Sequence, residues 1–296
     1  MGGATVGFGV ISPGAPISPQ GNALAAKADV AIVCVGFEPA LEGEGFDRTF
    51  SLPSGQDELI REIASVNKNT IVVLTAGGNV NMSPWLDRVA GLIHAWYPGQ
   101  EGGTALAQIL FGTYSPSGKL PVSFERRWED NVAYSSYYPP LGEKRVQYSE
   151  GVFLGYRHFD RSNTKPQFPF GFGLSYTTFA YSNLSVTPSS GKLDDGVTVS
   201  FYLRNTGTRE AAEVAELYVS DSHASIPRPV KELKGFARVN LKPGETKYIT
   251  LTLDRRAFSF YDVNKKDWSA EPGDFTMRVG GSSDNIQLRN TFTLTG

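Results

Sequence analysis

An α/β sandwich built on a mostly parallel sheet, followed by an all-β sandwich of the immunoglobulin type, is the fold class the sequence predicts. Three observations predict it. The first half alternates apolar runs with amphipathic stretches in the order β-α-β-α-β-α, which implies parallel strands joined by right-handed crossovers. From about Tyr181 the pattern changes to short period-two segments with turn residues between them, the signature of a β-sandwich. The chain also has 296 residues, more than the roughly 150 expected of one domain, so two cores are the default.

Each element has a local reason. "DVAIVCVGF" (29–37) is a near-continuous apolar run rich in β-branched residues, as a strand buried on both faces requires. "SGQDELIREIASV" (54–66) places Leu59, Ile60, Ile63 and Val66 at helical spacing, with Ser54 and Asp57 as a capping signature. "NTIVVLTAG" (69–77) reads as a second buried strand and "GLIHAWY" (91–97) as a third. Between them "SPWLDRVAG" (83–91) predicts a short helix capped by Ser83, with Pro84 at its first position. "QEGGTALAQILFG" (100–112) predicts a helix closed by Gly112. In the second half "VTVSFYLRNTG", "EVAELYVSD", "VKELKGFARVNL", "ETKYITLTL" and "GDFTMRVGG" supply alternating strands, and "KPGE" (242–245) a turn. The expected layout is a linker or truncated edge at 1–28, an α/β domain over 29–130 that is incomplete at its start, structured loops and a junction over 131–180, and the β-sandwich over 181–296.

Composition excludes several classes. Twenty-eight basic residues against 30 acidic ones give a net charge of −2, so the chain carries no electrostatic footprint for nucleic acid or an anionic membrane. No apolar run approaches the ~20 residues of a spanning helix. The single cysteine, Cys34, allows no intrachain disulfide and is expected to be a buried structural thiol. The three histidines are far apart without metal-ligand spacing, and no nucleotide-binding glycine motif follows a strand, so no cofactor is expected. The Gly-, Pro- and Ser-rich start lacks the regions of a signal peptide. A fragment of a longer protein is expected, and its location stays open, with periplasm or secretion favoured over cytoplasm.

In open parallel sheets ligands bind beyond the carboxyl ends of the strands. Those ends carry "EPALEGEGFDR", "AGGNVNMS" and "PGQEGG", so Glu42, Glu44, Asp47, Arg48, Asn79, Asn81, Gln100 and Glu101 should gather on one edge. Asp47 and Arg48 are expected as a local ion pair. Trp96, Tyr97 and Trp128 are expected as core or interface aromatics.

"EGEGFDR", "LPSGQDELI", "YPGQEGGTALAQILFGTYSPSGKLPVSF", "EGVFLGYRHFD" and "FPFGFGLSYTTF" occur in that order over nearly all of the chain beyond residue 28. Together they resemble glycoside hydrolase family three, most closely its β-glucosidases. The last domain is similar to the family's fibronectin type III-like domain. The resemblance implies a chain that carries the family's α/β sandwich and fibronectin type III-like domains and lacks its barrel, together with the barrel's nucleophilic aspartate. Relatives open the sandwich domain with a strand that nothing before Asp29 matches.

The resemblance further implies retaining hydrolysis, in which one carboxylate attacks the anomeric carbon and a second, about 5–5.5 Å away, handles the proton. The motif register makes Glu44 that general acid/base, with Glu42 as the rival assignment. Phe46 is implied as the aromatic wall of the leaving-group subsite, and Glu42 as a second residue near the sugar. The partners implied are an N-terminal barrel portion and a β-glucoside or oligosaccharide. A general acid at neutral pH needs a raised pKa, which burial under a partner domain and a nearby carboxylate supply. The glycines flanking Glu44 allow a close backbone approach. The alternative reading is a non-catalytic carbohydrate-binding or interaction module.

Overall fold

The computed structural model describes residues 17–193, 196–221 and 223–296. The chain forms two compact units, Met1–Ala107 with Arg126–Trp128, and Gln108–Glu125 with Glu129–Gly296.

The first unit contains α1 (Pro19–Lys27), β1 (Ala31–Gly36), α2 (Gln56–Val66), β2 (Thr70–Thr75) and β3 (Gly91–His94), and α3 (Gly102–Leu110) begins in it. The three strands form a parallel sheet in the order β1-β2-β3. Ile60 and Ile63 of α2 are buried, as their spacing predicts, whereas Leu59 is half-buried and Val66, at the helix end, is exposed; α2 packs on β1 and β2.

Four local expectations are corrected in this unit. α1 lies within the segment read as linker. Ser18 caps it by accepting from the Gly21 N–H, and Pro19 takes the first helical position. Its signal was missed because alanines supply its apolar content. The buried Asn67 ties α1 down by donating to the carbonyls of Ala25 (2.9 Å) and Ala28 (2.8 Å). Secondly, β1 is buried on one face only. Among the described residues it is the edge strand of its sheet, with Ala31, Val33 and Val35 buried, while Ile32 is 48% exposed and Cys34 is exposed rather than buried. Thirdly, Ser54 does not cap α2. Gly55, with φ +86°, takes that position, and Asp57 accepts instead from the indole of Trp85 at 2.8 Å. Finally, the helix expected over 83–91 is a single 3₁₀ turn, Leu86–Arg88. Trp85 is fully buried, and that anchor together with its Asp57 bond sets the local backbone in place of helix propensity.

The second unit contains α4 (Tyr156–Ser162), β4 (Phe179–Thr187), β5 (Ser190–Gly191), β6 (Val197–Asn205), β7 (Ala211–Asp221), β8 (Glu232–Leu241) and β9 (Thr246–Leu253). It continues through α5 (Arg255–Phe258), β10 (Phe260–Asp262), β11 (Asp267–Ser269), β12 (Gly273–Ser282) and β13 (Asn285–Leu294). Two sheets, β5-β13-β12-β7-β8 and β4-β6-β9, enclose a core of Val199, Phe201, Leu203, Leu217, Phe275, Met277 and Phe292. Each such side chain contributes about 1.5–3 kcal/mol by leaving water. The all-β sandwich that follows the parallel-sheet domain is as the sequence predicts.

β7 is buried on both faces. Ala215, Leu217 and Val219 enter the sandwich core, and Glu216 and Tyr218 alternate with them. Tyr156 of α4 meets Tyr218 edge-on at 5.7 Å, and Gly171 lies against the Glu216 carboxylate. α4 falls in the stretch read as loops without periodicity. It is held by tertiary contacts: Asp160 pairs with Lys231 at 2.6 Å, and the Tyr156 hydroxyl accepts from Leu233 N–H at 2.9 Å.

Candidate active site

The chain after β1 enters a short turn in which Leu41 and Glu42 N–H both bond back to the Glu38 carbonyl. Residues 43–46 then form a tight reversal, with Gly43 and Phe46 bridged antiparallel. The Phe46 ring packs over Gly43, where a Cβ would come within 2.8 Å of it. Glu44 and Gly45 stand at the apex, and Glu44 is exposed. Phe46 is 50% exposed beside it.

The foot of this turn is closed by Glu42 and Arg48. Glu42 Oε1 accepts from Arg48 Nε at 2.6 Å. Glu42 Oε2 accepts from Gly77 N–H at 3.0 Å and from the Tyr97 hydroxyl. Arg48 also donates to the carbonyls of Asn79 (2.7 Å) and Thr49 (3.0 Å), and lies 4.8 Å over the Phe37 ring. His94 Nε2 reaches the Gly78 carbonyl at 3.2 Å. The loops beyond all three strands therefore meet at one carboxylate and one guanidinium, as the strand-end argument expects.

Electrostatics follow from these contacts. Partial burial pushes the Glu42 carboxyl up, but the bonds from Tyr97, Gly77 and Arg48 outweigh it and hold the group below the usual carboxylate range. The Tyr97 phenol is pushed up, by desolvation and by the carboxylate it donates to. Burial lowers His94, which keeps its imidazole neutral near pH 7.

Not every expected residue joins the cluster. Asn79 contributes its carbonyl, and Asn81 caps its own turn by accepting from Ser83 N–H at 3.2 Å. Gln100 and Glu101 are exposed at the start of α3. The ion pair of Arg48 is with Glu42 and not the expected Asp47, because the antiparallel reversal brings residues 42 and 48 together across the turn. Tyr97, expected in a core or an interface, is not in the core of this unit: it is exposed, since the chain leaves the sheet after His94. Its role and that of His94 were missed. The only available signal was their position at the end of an apolar run. Among the described residues no group of three or more His, Cys, Asp or Glu side chains is placed to hold a metal ion, and no helix is long and apolar enough to cross a membrane.

Residues 17–176 match the family described as the glycosyl hydrolase family 3 C-terminal domain, and residues 213–283 match the fibronectin type III-like domain. Thermostable β-glucosidase B of Acetivibrio thermocellus is 44% identical over 268 residues, covering 90% of this chain and 35% of that protein. An exo-α-(1→6)-L-arabinopyranosidase of Bifidobacterium breve is 39% identical, covering 92% of this chain and 35% of that protein. Among solved structures, the Bifidobacterium adolescentis β-glucosidase superposes with a TM-score of 0.88 at 39% identity, over 95% of this chain and 42% of that one. The Kluyveromyces marxianus β-glucosidase in complex with glucose gives 0.86 at 38% identity, over 93% and 33%. The chain thus spans about a third of the length of the curated relatives it matches. With more than half of its residues matched by the C-terminal domain, the chain belongs to glycosyl hydrolase family 3.

Proposed function

We propose that this chain supplies the general acid/base, Glu44, of a retaining β-glucosidase whose nucleophilic aspartate stands on an N-terminal barrel portion, carried by the same polypeptide or by a second one. The observation that carries the reading is the apex position of Glu44: a free carboxylate on a glycine-flanked turn, beyond the carboxyl ends of a parallel sheet, whose foot is tied down. Protonation of the leaving oxygen and later deprotonation of water both need such a group within reach of a sugar bound elsewhere. Phe46, half exposed beside it, offers a flat apolar face to a pyranose ring. Glu42 is already engaged by three donors, which favours Glu44 as the proton-handling residue.

The chain alone should hydrolyse nothing efficiently, since the two-carboxylate mechanism lacks a member. Combined with its barrel portion it should cleave cellobiose and aryl β-glucosides. An α-L-arabinopyranoside belongs in the substrate panel, because a relative is named for that activity. Glu44→Ala should lower cellobiose turnover by about 10²–10⁴-fold, and should lower turnover of a dinitrophenyl glucoside far less in the first chemical step. Unchanged cellobiose turnover would remove Glu44 from this role. A binding-module reading is favoured by exposed aromatics such as Tyr148, 85% exposed. Oligosaccharide binding by the isolated chain in calorimetry, with no activity after the barrel is added, would select it.

A further inference from the structure

We propose that Glu42 is the positioning residue for Glu44: its carboxylate closes the turn that carries the acid/base and fixes that turn to the loops after β2 and β3. The inference rests on the reading of Glu44 given above.

The geometry is that of a strap with one buckle. Residues 42 and 48 are joined by the 2.6 Å ion pair, which leaves the five residues 43–47 as a closed tip. Closing so short a segment removes most of the backbone freedom its glycines would otherwise allow. The second carboxylate oxygen accepts from Gly77 N–H and from the Tyr97 hydroxyl, one residue from each of two other strand ends. Gly77 is suited to this approach, since a Cβ there would sit 3.0 Å from Glu42 Oε1. Arg48 is fixed in turn by the Asn79 carbonyl and the Phe37 ring. The Glu42 and Arg48 side chains are each about one-sixth exposed (17% and 16%), so the pair is screened less than a surface ion pair. Glu44 has no comparable anchor of its own among the bonds seen here, and inherits its place from the foot of the turn.

This matters because proton transfer depends steeply on placement. A misplacement of about 1 Å can cost roughly 100-fold in rate. Glu42 therefore acts on the chemistry through Glu44 without touching the sugar. Its loss affects the step that needs acid assistance and spares the step that does not.

Two measurements test this. The first is amide hydrogen exchange of the chain alone, wild type against Glu42→Gln and Glu42→Ala. Exchange at residues 43–47 should accelerate about tenfold or more in both variants, while amides of α2 and β2 stay unchanged. Unchanged exchange over 43–47 would overturn the proposal. The second is turnover with the barrel portion present. Glu42→Gln should lower kcat on cellobiose about 10–100-fold and on a dinitrophenyl glucoside less than threefold, with KM little altered. Tyr97→Phe, which removes one of the three donors, should give a smaller loss of the same kind. An equal fall on both substrates would mean a general structural role and would overturn the proposal. If Glu44→Ala itself fails to separate the two substrates, the acid/base reading falls, and the inference falls with it in its catalytic sense. The exchange result then decides separately whether Glu42 holds the turn.

Discussion

Glu216 should make the β-sandwich less stable as pH rises through neutrality, and Glu216→Gln should abolish the effect. The side chain is 4% exposed on β7. Burial is the main reason its carboxyl is pushed up, from 4.5 to about 7, and the nearby Glu213 adds to it. The Tyr218 hydroxyl bond and the attraction of Lys119 offset only part. Lys119 Nζ is bonded to Glu213, at 3.2 Å, so the local cation is already engaged by the other carboxylate. Between pH 4.5 and 7 the unfolded chain holds fewer protons at this site than the native one. Stability therefore falls with rising pH across that window, and the loss is complete above pH 7. The rise from 4.5 to about 7 corresponds to about 3 kcal/mol in all, most of it lost between pH 5 and pH 8. The assay is urea unfolding at several pH values, followed through amides of β6, β7 and β12 so that it reports the sandwich unit. The difference between wild type and Glu216→Gln cancels the other titrating groups. That difference should shift by about 2–3 kcal/mol in favour of the variant from pH 5 to pH 8. Parallel curves would refute the reasoning, and so would a wild type that gains on the variant as pH rises.

Two further predictions concern the same unit. Asn205 is fully buried and makes four bonds, donating to the carbonyls of Arg209 (2.7 Å) and Leu241 (3.0 Å) and accepting from Thr177 Oγ1 (2.6 Å) and Gly207 N–H (3.1 Å). Asn205→Ala should cost about 3 kcal/mol in chemical denaturation, because it strands the buried Leu241 carbonyl and removes three further bonds; a cost below about 1 kcal/mol would contradict that account. Gly171 has φ +80°, and a Cβ on it would come within 2.5 Å of both Glu216 carboxylate oxygens. Gly171→Ala should therefore lower stability by about 1–3 kcal/mol and change the pH dependence just described. A neutral effect in thermal unfolding would show that the carboxylate moves aside freely.

What could be read from the sequence was what depends on neighbours along the chain. β6 and β9 follow period-two alternation, and Ile60 and Ile63 mark the inner face of α2 by spacing alone. The strand-end rule anticipates that the loops after β1, β2 and β3 meet, as they do at Glu42 and Arg48. Features set by distant partners were not legible. Nothing near Glu42 in sequence announces Gly77 or Tyr97, which lie 35 and 55 residues away. The Glu213–Lys119 pair spans 94 residues. Cys34 sits in an apolar run and still faces outward, because burial of a strand's second face depends on what covers it, which periodicity does not encode. The 3₁₀ turn at Leu86–Arg88 shows the same limit from the other side. Ser83 and Pro84 give a valid start signal, and a buried tryptophan two residues on overrides it.

The two acidic groups at either end of "EGE" sit in opposite environments. Glu42 and Glu44 are identical in chemistry and two residues apart. At Glu42 the backbone runs past the loops after β2 and β3, so three donors reach its carboxylate and keep it ionised. At Glu44 the chain has turned outward, and the same side chain projects into solvent. A carboxylate held ionised by an arginine is a poor proton donor but a firm anchor, whereas an unanchored one can take its proton-transfer properties from whatever surface closes over it. The antiparallel reversal between Gly43 and Phe46 sets the two glutamates apart. If Glu44 has the proposed acid/base role, Arg48→Met, which frees Glu42, should therefore lower cellobiose turnover and not transfer that role to Glu42.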